Sequence, residues 1–134
     1  MGKFNTEVTI NQSIEKIWEF WNDPKHITQW YFASDDWECP KASNDLRAGG
    51  HFSYTMASKD KQFSFDFEGD YLSIEWHQSI SYQLSDGRKV ITEFILHQEG
   101  YQVRQHVDAE TENSVEMQQK GWQNILENFK KHVE

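Results

Sequence analysis

The chain opens with a strict alternation of largely apolar and polar positions. In residues 3–10, every second side chain can face a core, and these side chains are Phe4, Thr6, Val8 and Ile10. Successive side chains of a β-strand point to opposite sides of the sheet, so a period of two is the signature of a strand. The segment is therefore predicted to be a strand with one buried and one solvated face.

The next segment changes to helical spacing. Its apolar residues recur at positions i, i+3, i+4 and i+7, and they are Ile14, Ile17, Trp18 and Trp21. This spacing places them on one side of an amphipathic helix. Asp23 and Pro24 end this helix, because the residue before a proline avoids the α-helical region. Pro24 also suits the first turn of a second short helix, which would continue through His26 and Ile27.

Between positions 26 and 50 the pattern is lost. The stretch "HITQWYFASDDWECP", residues 26–40, repeats at neither a helical nor a strand period, and irregular polar sequence follows as far as "RAGG". After the short helix we therefore predict a loop rather than a further strand. The stretch is unusual because it carries four aromatic rings, which belong to Trp30, Tyr31, Phe32 and Trp37.

From Gly50 to Val107 the two-residue alternation returns and predicts five strands. Their inward positions are Phe52, Tyr54 and Met56, then Phe63, Phe65, Phe67, Gly69 and Tyr71, then Ile80, Tyr82 and Leu84, then Val90, Thr92, Phe94 and Leu96, and finally Tyr101, Val103, Gln105 and Val107. Short turns separate these strands, including Asp86-Gly87, a pair that favours tight hairpins. The segment is predicted to be an antiparallel meander with one face directed inward.

The last predicted element is a long helix. Its stripe at helical spacing contains Val115, Gln118, Trp122, Ile125, Phe129 and Val133, with Leu126 beside it. A helix of about twenty residues is about 30 Å long and can lie across a whole sheet. Asn113, followed three residues later by Glu116, resembles a capping box at its start.

Taken in order, a strand, two short helices, a five-stranded meander and a long helix predict an α+β fold. A curved antiparallel sheet would wrap around the C-terminal helix, with the two short helices after the first strand. A length of 134 residues fits one domain, residues 1–134, with a sizeable core. Aromatic residues are frequent (9 Phe, 6 Trp and 5 Tyr), so rings on the inner face can serve as walls of a site as well as core.

Charge and cysteine content restrict the partners and the compartment. The net charge of −9 disfavours nucleic acids and anionic membrane surfaces, both of which attract basic patches. Cys39 is the chain's one cysteine and cannot form an internal disulfide, which fits a reducing compartment. The N-terminus has no signal-peptide pattern, and no apolar run is long enough to span a bilayer. We therefore expect a cytoplasmic protein without membrane insertion.

The sequence offers no catalytic constellation. Its six histidines show no metal-ligand spacing, Cys39 has no companion thiol, and there is neither a nucleophile elbow nor a glycine-rich phosphate loop. Asp35 and Asp36 are adjacent, but solvated carboxylates are the favoured interpretation because Asp is rarely buried. We predict no metal, no cofactor and no catalytic residue, and the balance is against an enzyme.

Several stretches resemble a known family. They are "IEKIWEFWNDPKHITQWY", "DLRAGGHFSY", "FDFEGDY", "SDGRKV" and "GWQNILENFKKHVE". In this order they resemble the START-like superfamily, also called SRPBCC or birch-pollen-allergen-like. Within it they are most similar to small bacterial homologues of the heat-shock-protein ATPase activator, the AHSA-type family. The resemblance covers essentially the whole chain and implies a helix-grip fold with a hydrophobic cavity between the sheet and the C-terminal helix.

The resemblance also implies a function, because members of the superfamily bind or transport small hydrophobic molecules. Binding of a small hydrophobic or aromatic molecule in the cavity is therefore our first hypothesis. The candidate ligand-binding residues are Trp30, Phe32, Trp37, Phe52, Tyr54, Phe65, Phe67, Tyr82, Thr92, Phe94, Gln105, Trp122, Ile125 and Phe129. Two alternatives stay open: a stress- or chaperone-associated interaction module that uses exposed residues such as Ile91 and Ile95, and a cyclase- or hydrolase-type enzyme that uses the same cavity.

Two features of the proposed site have alternative interpretations. Gln105 interrupts an apolar face, and burying its amide without a partner costs about 1–3 kcal/mol. Its partner is either a ligand or a neighbouring side chain such as Thr92 or Tyr82. In the aromatic stretch, Trp30, Phe32 and Trp37 are expected to turn inward at one mouth of the cavity while Asp35 and Asp36 stay in water. The rings then form either a plug that completes the core or a lid over a ligand.

Overall fold

The computed structural model describes residues 2–134, which form seven strands and three helices. In chain order these are β1 (Lys3–Ile10), α1 (Ile14–Asn22), α2 (Pro24–Trp30), β2 (Trp37–Asn44), β3 (His51–Ser58), β4 (Ser64–Glu75), β5 (Ser79–Leu84), β6 (Lys89–His97), β7 (Gly100–Asp108) and α3 (Val115–Val133). The strands build one antiparallel sheet in the order β1-β7-β6-β5-β4-β3-β2. The α+β helix-grip class predicted from the sequence is confirmed.

The sheet order explains the role of the two short helices. Strand β1 pairs with β7 at one edge of the sheet, and β2 pairs with β3 at the other. Helices α1 and α2 carry the chain from one edge to the other, and α3 packs against β1 and against both short helices. The inward side chains of β1, namely Phe4, Thr6, Val8 and Ile10, are all buried, as their alternation predicts.

Strand β2 corrects the prediction of a loop from residue 31 to "RAGG". The loop proper is the connection 31–36, and β2 begins at Trp37. The strand shows no alternation of apolar and polar residues because it lies at the sheet edge, where Cys39 is its one fully buried residue. Pro40 lies where the register with β3 shifts, between Glu38 and Lys41. A proline is tolerated at an edge strand because no ladder hydrogen bond need be donated there.

Capping side chains fix where the helices begin. Ser13 accepts a hydrogen bond from the Lys16 amide at the start of α1, and Asp23 accepts one from Lys25 at the start of α2. The predicted cap of α3 at Asn113 is wrong by one residue. Ser114 caps this helix, because its backbone is extended and its Oγ accepts from the Met117 amide at 3.1 Å.

The C-terminal end of α3 is fastened to β1 and to α2. The Lys130 ammonium donates to the Thr9 carbonyl at 2.5 Å, and the Asn11 amide donates to the Glu134 carboxylate at 2.9 Å. Nδ1 of His26, in α2, lies 2.9 Å from Nε2 of His132, in α3. These contacts come from β1, from the residue that follows it and from α2, so this end of the helix is held in one position.

Three residues predicted to face inward are exposed instead. They are Phe63, Phe65 and Leu96, with 63%, 52% and 71% of their surface accessible. Each lies within one residue of a strand end, where the side chain reaches solvent. The alternating pattern therefore identifies the correct side of the sheet but does not show how far the core extends along it.

Candidate functional site

A pocket of about 340 Å³ lies between the first half of α3 and the part of the sheet formed by β2, β3 and β4. We call it the outer pocket. Its volume falls within the range of about 300–1,000 Å³ that is typical of small-molecule sites. The outer pocket is lined by Tyr31, Ala33, Ser34, Trp37, Met56, Phe65, Phe67, Met117, Gln118, Gly121, Trp122 and Ile125.

The outer pocket offers mainly apolar contact. No charged residue is among its lining residues. The Gln118 amide is occupied, because its Nε2 donates to the carbonyls of Asn113 at 2.9 Å and Glu110 at 3.1 Å, and its Oε1 accepts from the Glu110 amide. The Ser34 hydroxyl donates to the Asp36 carboxylate at 2.5 Å. The side chains of Gln118 and Ser34 thus already have partners, which favours an apolar occupant.

Gly121 accounts for part of the space. It lies inside α3, where a glycine is less favourable than alanine by about 1 kcal/mol. A Cβ atom built at Gly121 would meet no atom within 4 Å. The residue therefore makes no close packing contact that only a glycine allows, and its lack of a side chain leaves volume in the outer pocket.

Apolar side chains also form the rim of the outer pocket. Phe65 is 52% exposed and Met117 is 64% exposed, on opposite sides of the opening. Large apolar groups at the surface are less common than buried ones, and methionine side chains adapt readily to different shapes. The rim can therefore adapt to apolar molecules of different shapes.

A second, much smaller cavity lies deeper, against the middle of the sheet. Its volume is about 20 Å³, which is room for about one water molecule. We call it the inner chamber. It is lined by Trp21, Asn22, Trp30, Tyr31, Phe52, Tyr54, Tyr71, Ile80 and Tyr82.

Four tyrosines give the inner chamber its chemistry. Burial raises the pKa of Tyr31, Tyr54 and Tyr82 well above the usual value of about 10, and it raises the pKa of Tyr71 as well. Neighbouring tyrosines raise the pKa of the first three further, since an adjacent phenolate would be a like charge. These hydroxyls therefore stay neutral at physiological pH and can each donate one hydrogen bond.

Tyr31 separates the inner chamber from the outer pocket, because it lines both cavities. Its ring centroid lies 5.8 Å from that of Phe67, which lines the outer pocket, and 4.9 Å from that of Tyr54, which lines the inner chamber. Tyr31 is also the residue at which α2 ends, and its amide donates to the Ile27 carbonyl at 3.0 Å. The end of α2 thus places this ring between the two cavities.

The predicted candidate residues divide into three groups. Five line the outer pocket: Trp37, Phe65, Phe67, Trp122 and Ile125. Four line the inner chamber: Trp30, Phe52, Tyr54 and Tyr82. Five line neither of these cavities: Phe32, Thr92, Phe94, Gln105 and Phe129.

Gln105 belongs to the last group because its partners are internal. Its Nε2 donates to the Thr92 hydroxyl at 3.2 Å, and its Oε1 accepts from the Thr6 hydroxyl at 3.3 Å. All three side chains are buried. Of the two alternatives for Gln105, the structure therefore has the internal hydrogen bond to Thr92, and Tyr82 is not the partner.

Seven residues of the outer pocket were not among the candidates: Tyr31, Ala33, Ser34, Met56, Met117, Gln118 and Gly121. Two of them carried a usable signal. Gly121 is a glycine in the middle of a helical pattern, and Tyr31 lies within the aromatic stretch. The others carried none, because their spacing does not reveal the gap between α3 and the sheet.

The aromatic stretch is divided between core and pocket. Trp30 is buried, and its Nε1 donates to the Phe20 carbonyl at 3.1 Å, whereas Trp37 is half-buried at the outer pocket. Phe32 is half-buried, and its carbonyl accepts from Asn128. Asp35 and Asp36 are exposed, as expected. Trp30 thus has the position expected of a plug, and Trp37 the position expected of a lid.

The thiol of Cys39 lies in strand β2 rather than in a loop. It is buried, and this burial raises the pKa of the thiol to about 11. The neutral thiol is a weak nucleophile because thiolate is the reactive form. Cys39 therefore acts as a small apolar residue.

Metal binding and membrane insertion are two other functions on which the described residues bear. Within residues 2–134, no three or more His, Cys, Asp or Glu side chains are grouped so that they could hold a metal ion. Over the same range, each helix is too short or too polar to cross a bilayer.

Comparison with known proteins identifies relatives. The sequence pattern of the family described as "Activator of Hsp90 ATPase homolog 1-like protein" matches residues 11–134. The solution structure of an AHSA1-like protein from Aeromonas hydrophila is 41% identical, with a TM-score of 0.92, over 98% of this chain and 92% of that one. The solution structure of Chr148 from Cytophaga hutchinsonii is 44% identical, with a TM-score of 0.86, over 98% and 91% of the two chains.

More distant structures share the fold alone. Protein NE0264 from Nitrosomonas europaea is 14% identical, with a TM-score of 0.84, over 98% of this chain and 93% of that one. A search of curated proteins finds no match. The family resemblance noted in the sequence is confirmed, and the fold extends to sequences that have diverged widely.

Proposed function

The chain belongs to the family of activator of Hsp90 ATPase homolog 1-like proteins, and we propose that it binds a small hydrophobic or aromatic molecule in the outer pocket. The observation that carries this proposal is a mainly apolar pocket of about 340 Å³ in which the side chains of Gln118 and Ser34 already have internal partners. A solvated apolar cavity of this size is unfavourable when it is empty of ligand. Transfer of apolar surface out of water gains about 25 cal/mol per Å².

The shape of the lining suggests the kind of molecule. Trp37, Phe65, Phe67 and Trp122 present aromatic rings, with centroid distances of 6.1 Å between Trp37 and Phe65 and 5.8 Å between Phe67 and Trp122. Aromatic pairs of this kind favour offset or edge-to-face contacts with a further ring. A flat ring system is therefore the occupant that these four side chains suit best.

The first experiment is a search for bound and binding molecules. Native mass spectrometry of the purified protein tests for a co-purified ligand, and tryptophan fluorescence tests a panel of lipids and aromatic compounds. Quenching is expected with flat apolar compounds, because Trp37 and Trp122 line the outer pocket. A matched variant, Trp122→Phe, keeps a ring in the pocket and should reduce the quenching amplitude. No bound mass and no quenching across the panel would argue against the proposal.

A second candidate function is protein interaction, which the name of the family raises. Exposed apolar side chains on the outer face of the sheet favour it, including Leu72 at 45% and Ile91 at 44% exposure. Ile95, named with Ile91 from the sequence, is half-buried. Purified heat-shock protein 90 and a titration by calorimetry provide the test. Binding that Ile91→Lys abolishes would support this candidate, and no detectable heat at any protein ratio would remove it.

A further inference from the structure

The inner chamber differs from the outer pocket in both size and chemistry. The outer pocket has a volume of about 340 Å³, whereas the inner chamber, at about 20 Å³, has room for a group no larger than about one water molecule. The outer pocket is apolar, whereas tyrosine hydroxyls and the Asn22 amide supply polar groups to the chamber. Since Tyr31 lines both, a ligand in the outer pocket lies one side chain away from this polar chamber.

The size of the inner chamber restricts what can enter it. A carbonyl or hydroxyl oxygen is about as large as a water molecule, whereas a carboxylate or phosphate has two or more oxygens on a wider centre. The chamber also has no charged lining residue. An anion placed there would lose its hydration without gaining a counter-ion, and such burial is strongly unfavourable. Both limits select a neutral group with one oxygen.

The tyrosines determine which neutral group is favoured. Tyr31, Tyr54, Tyr71 and Tyr82 all line the chamber, and the ring centroid of Tyr31 lies 4.9 Å from that of Tyr54. Each hydroxyl is a donor as well as an acceptor, so four tyrosines that bond among themselves can still spare a donor for a ligand. A ketone or similar carbonyl accepts such hydrogen bonds and needs no donor in return.

We propose that the ligand is a neutral, flat apolar molecule whose body occupies the outer pocket and whose carbonyl oxygen enters the inner chamber past Tyr31. This inference rests on the proposed function, because the body of the molecule must bind in the outer pocket. Tyr31 is the gate between the two cavities, because it lines both and lies where α2 joins the 31–36 connection.

Three matched probes test this inference: 2-acetylnaphthalene, its near-isosteric hydrocarbon 2-isopropenylnaphthalene, and 2-naphthoate. Each is titrated into ¹⁵N-labelled protein, and backbone amide chemical shifts give both the dissociation constant and the location. We expect 2-acetylnaphthalene to bind roughly fivefold more tightly than the hydrocarbon, because one net hydrogen bond is gained. We expect 2-naphthoate to bind more than about tenfold more weakly than the ketone.

Two variants identify the groups responsible. Tyr31→Phe and Tyr82→Phe each remove one hydroxyl from the inner chamber and keep the ring. At least one of them should reduce the ketone-to-hydrocarbon affinity ratio by roughly threefold or more while the hydrocarbon binds as before. Tyr101→Phe is the matched control, because Tyr101 lines neither cavity, and it should keep the wild-type ratio.

The outcomes separate this inference from the proposed function. If the hydrocarbon binds at the outer pocket but the ketone has no advantage, or if both tyrosine variants keep the wild-type ratio, the carbonyl site is wrong and the proposed function stands. If none of the three probes shifts a resonance of the outer pocket, the proposed function fails and the carbonyl site fails with it. A ketone preference that Tyr31→Phe or Tyr82→Phe removes supports both.

Discussion

The two halves of α3 carry one continuous helical stripe but have different surroundings. In the second half, Leu126, Phe129 and Val133 are fully buried. In the first half, Trp122 is half-buried and Met117 is exposed at the rim of the outer pocket. The same helix therefore completes the core at one end and lines a pocket at the other. An apolar stripe predicts that the helix contacts an apolar partner, but it does not show whether that partner is the protein core or a ligand.

The stability of the protein should depend more on side chains in the second half of α3, which is packed in the core, than on those in the first half. Phe129 contacts the rings of Trp21 and Trp30, with centroid distances of 4.9 and 4.7 Å. Phe129→Ala removes a buried ring and should lower the free energy of unfolding by about 3–5 kcal/mol, as measured by urea denaturation. The matched variant Met117→Ala removes an exposed side chain of the same helix, and its effect should stay within about 0.5 kcal/mol. Equal effects of the two variants would show that the halves do not differ.

The two tryptophans of the aromatic stretch extend the same comparison to the other side of the pocket. Trp37→Ala should weaken binding of a flat aromatic probe by roughly tenfold and lower the free energy of unfolding by only about 1 kcal/mol, because the ring is half-buried. Trp30→Ala should instead destabilise the protein by about 3–5 kcal/mol, since this ring is in the core. Probe titrations and urea denaturation of both variants provide the check. The reverse order of effects would contradict the positions assigned to the lid and the plug.

Much of the fold could be predicted from the sequence because it depends on local periodicity. The alternation in β1 and in β3 to β7, and the stripes of α1 and α3, agree with the structure. Strand β2 could not be predicted, since an edge strand with a proline and one buried residue has no alternation. The cap of α3 was misplaced because Asn113 and Ser114 are both residues that favour this position.

The candidate site was less accessible to sequence reasoning. Trp122 and Phe129 lie on one stripe, yet the first lines the outer pocket and the second is core. The distinction depends on how closely α3 approaches each part of the sheet, which is a property of tertiary packing. Gln105 shows the same limit, because its partners Thr6 and Thr92 lie on neighbouring strands and are distant in the chain.

The contact of His26 with His132, near the C-terminal end of α3, should make the stability of the protein depend on pH. Burial, His26 and Lys16 lower the pKa of His132 below its usual value of about 6.5. The unfolded chain therefore binds more protons in this range, and the stability contributed by neutral His132 is present above about pH 6.5 and lost as the pH falls below it. Urea denaturation at about pH 7.5 and about pH 5 should show a smaller acid-induced loss in His132→Asn than in the wild type.

His51 provides a control of opposite sign. A hydrogen bond to Asp70 raises the pKa of His51, so this residue adds stability as the pH falls. The acid-induced loss of stability should therefore be larger in His51→Asn than in the wild type. If His132→Asn has the same pH dependence as the wild type, the contact between α2 and α3 does not contribute in this way.

A substitution in the first half of α3, which lines the outer pocket, has the smallest expected effect on stability. Gly121→Ala adds one methyl group where a Cβ meets no atom within 4 Å, and it replaces a glycine inside a helix. The free energy of unfolding should rise by up to about 1 kcal/mol, which thermal or urea denaturation can resolve. A loss of stability would show that the space beside Gly121 is not free.

Gly121→Leu tests the central claim, that the space beside α3 is a binding site rather than a packing defect. The larger side chain has room to extend into the outer pocket and should occupy it. We predict a free energy of unfolding at least as high as that of the wild type, together with at least a tenfold loss of affinity for 2-isopropenylnaphthalene in the NMR titration. A stable variant that binds the probe with wild-type affinity would contradict the account.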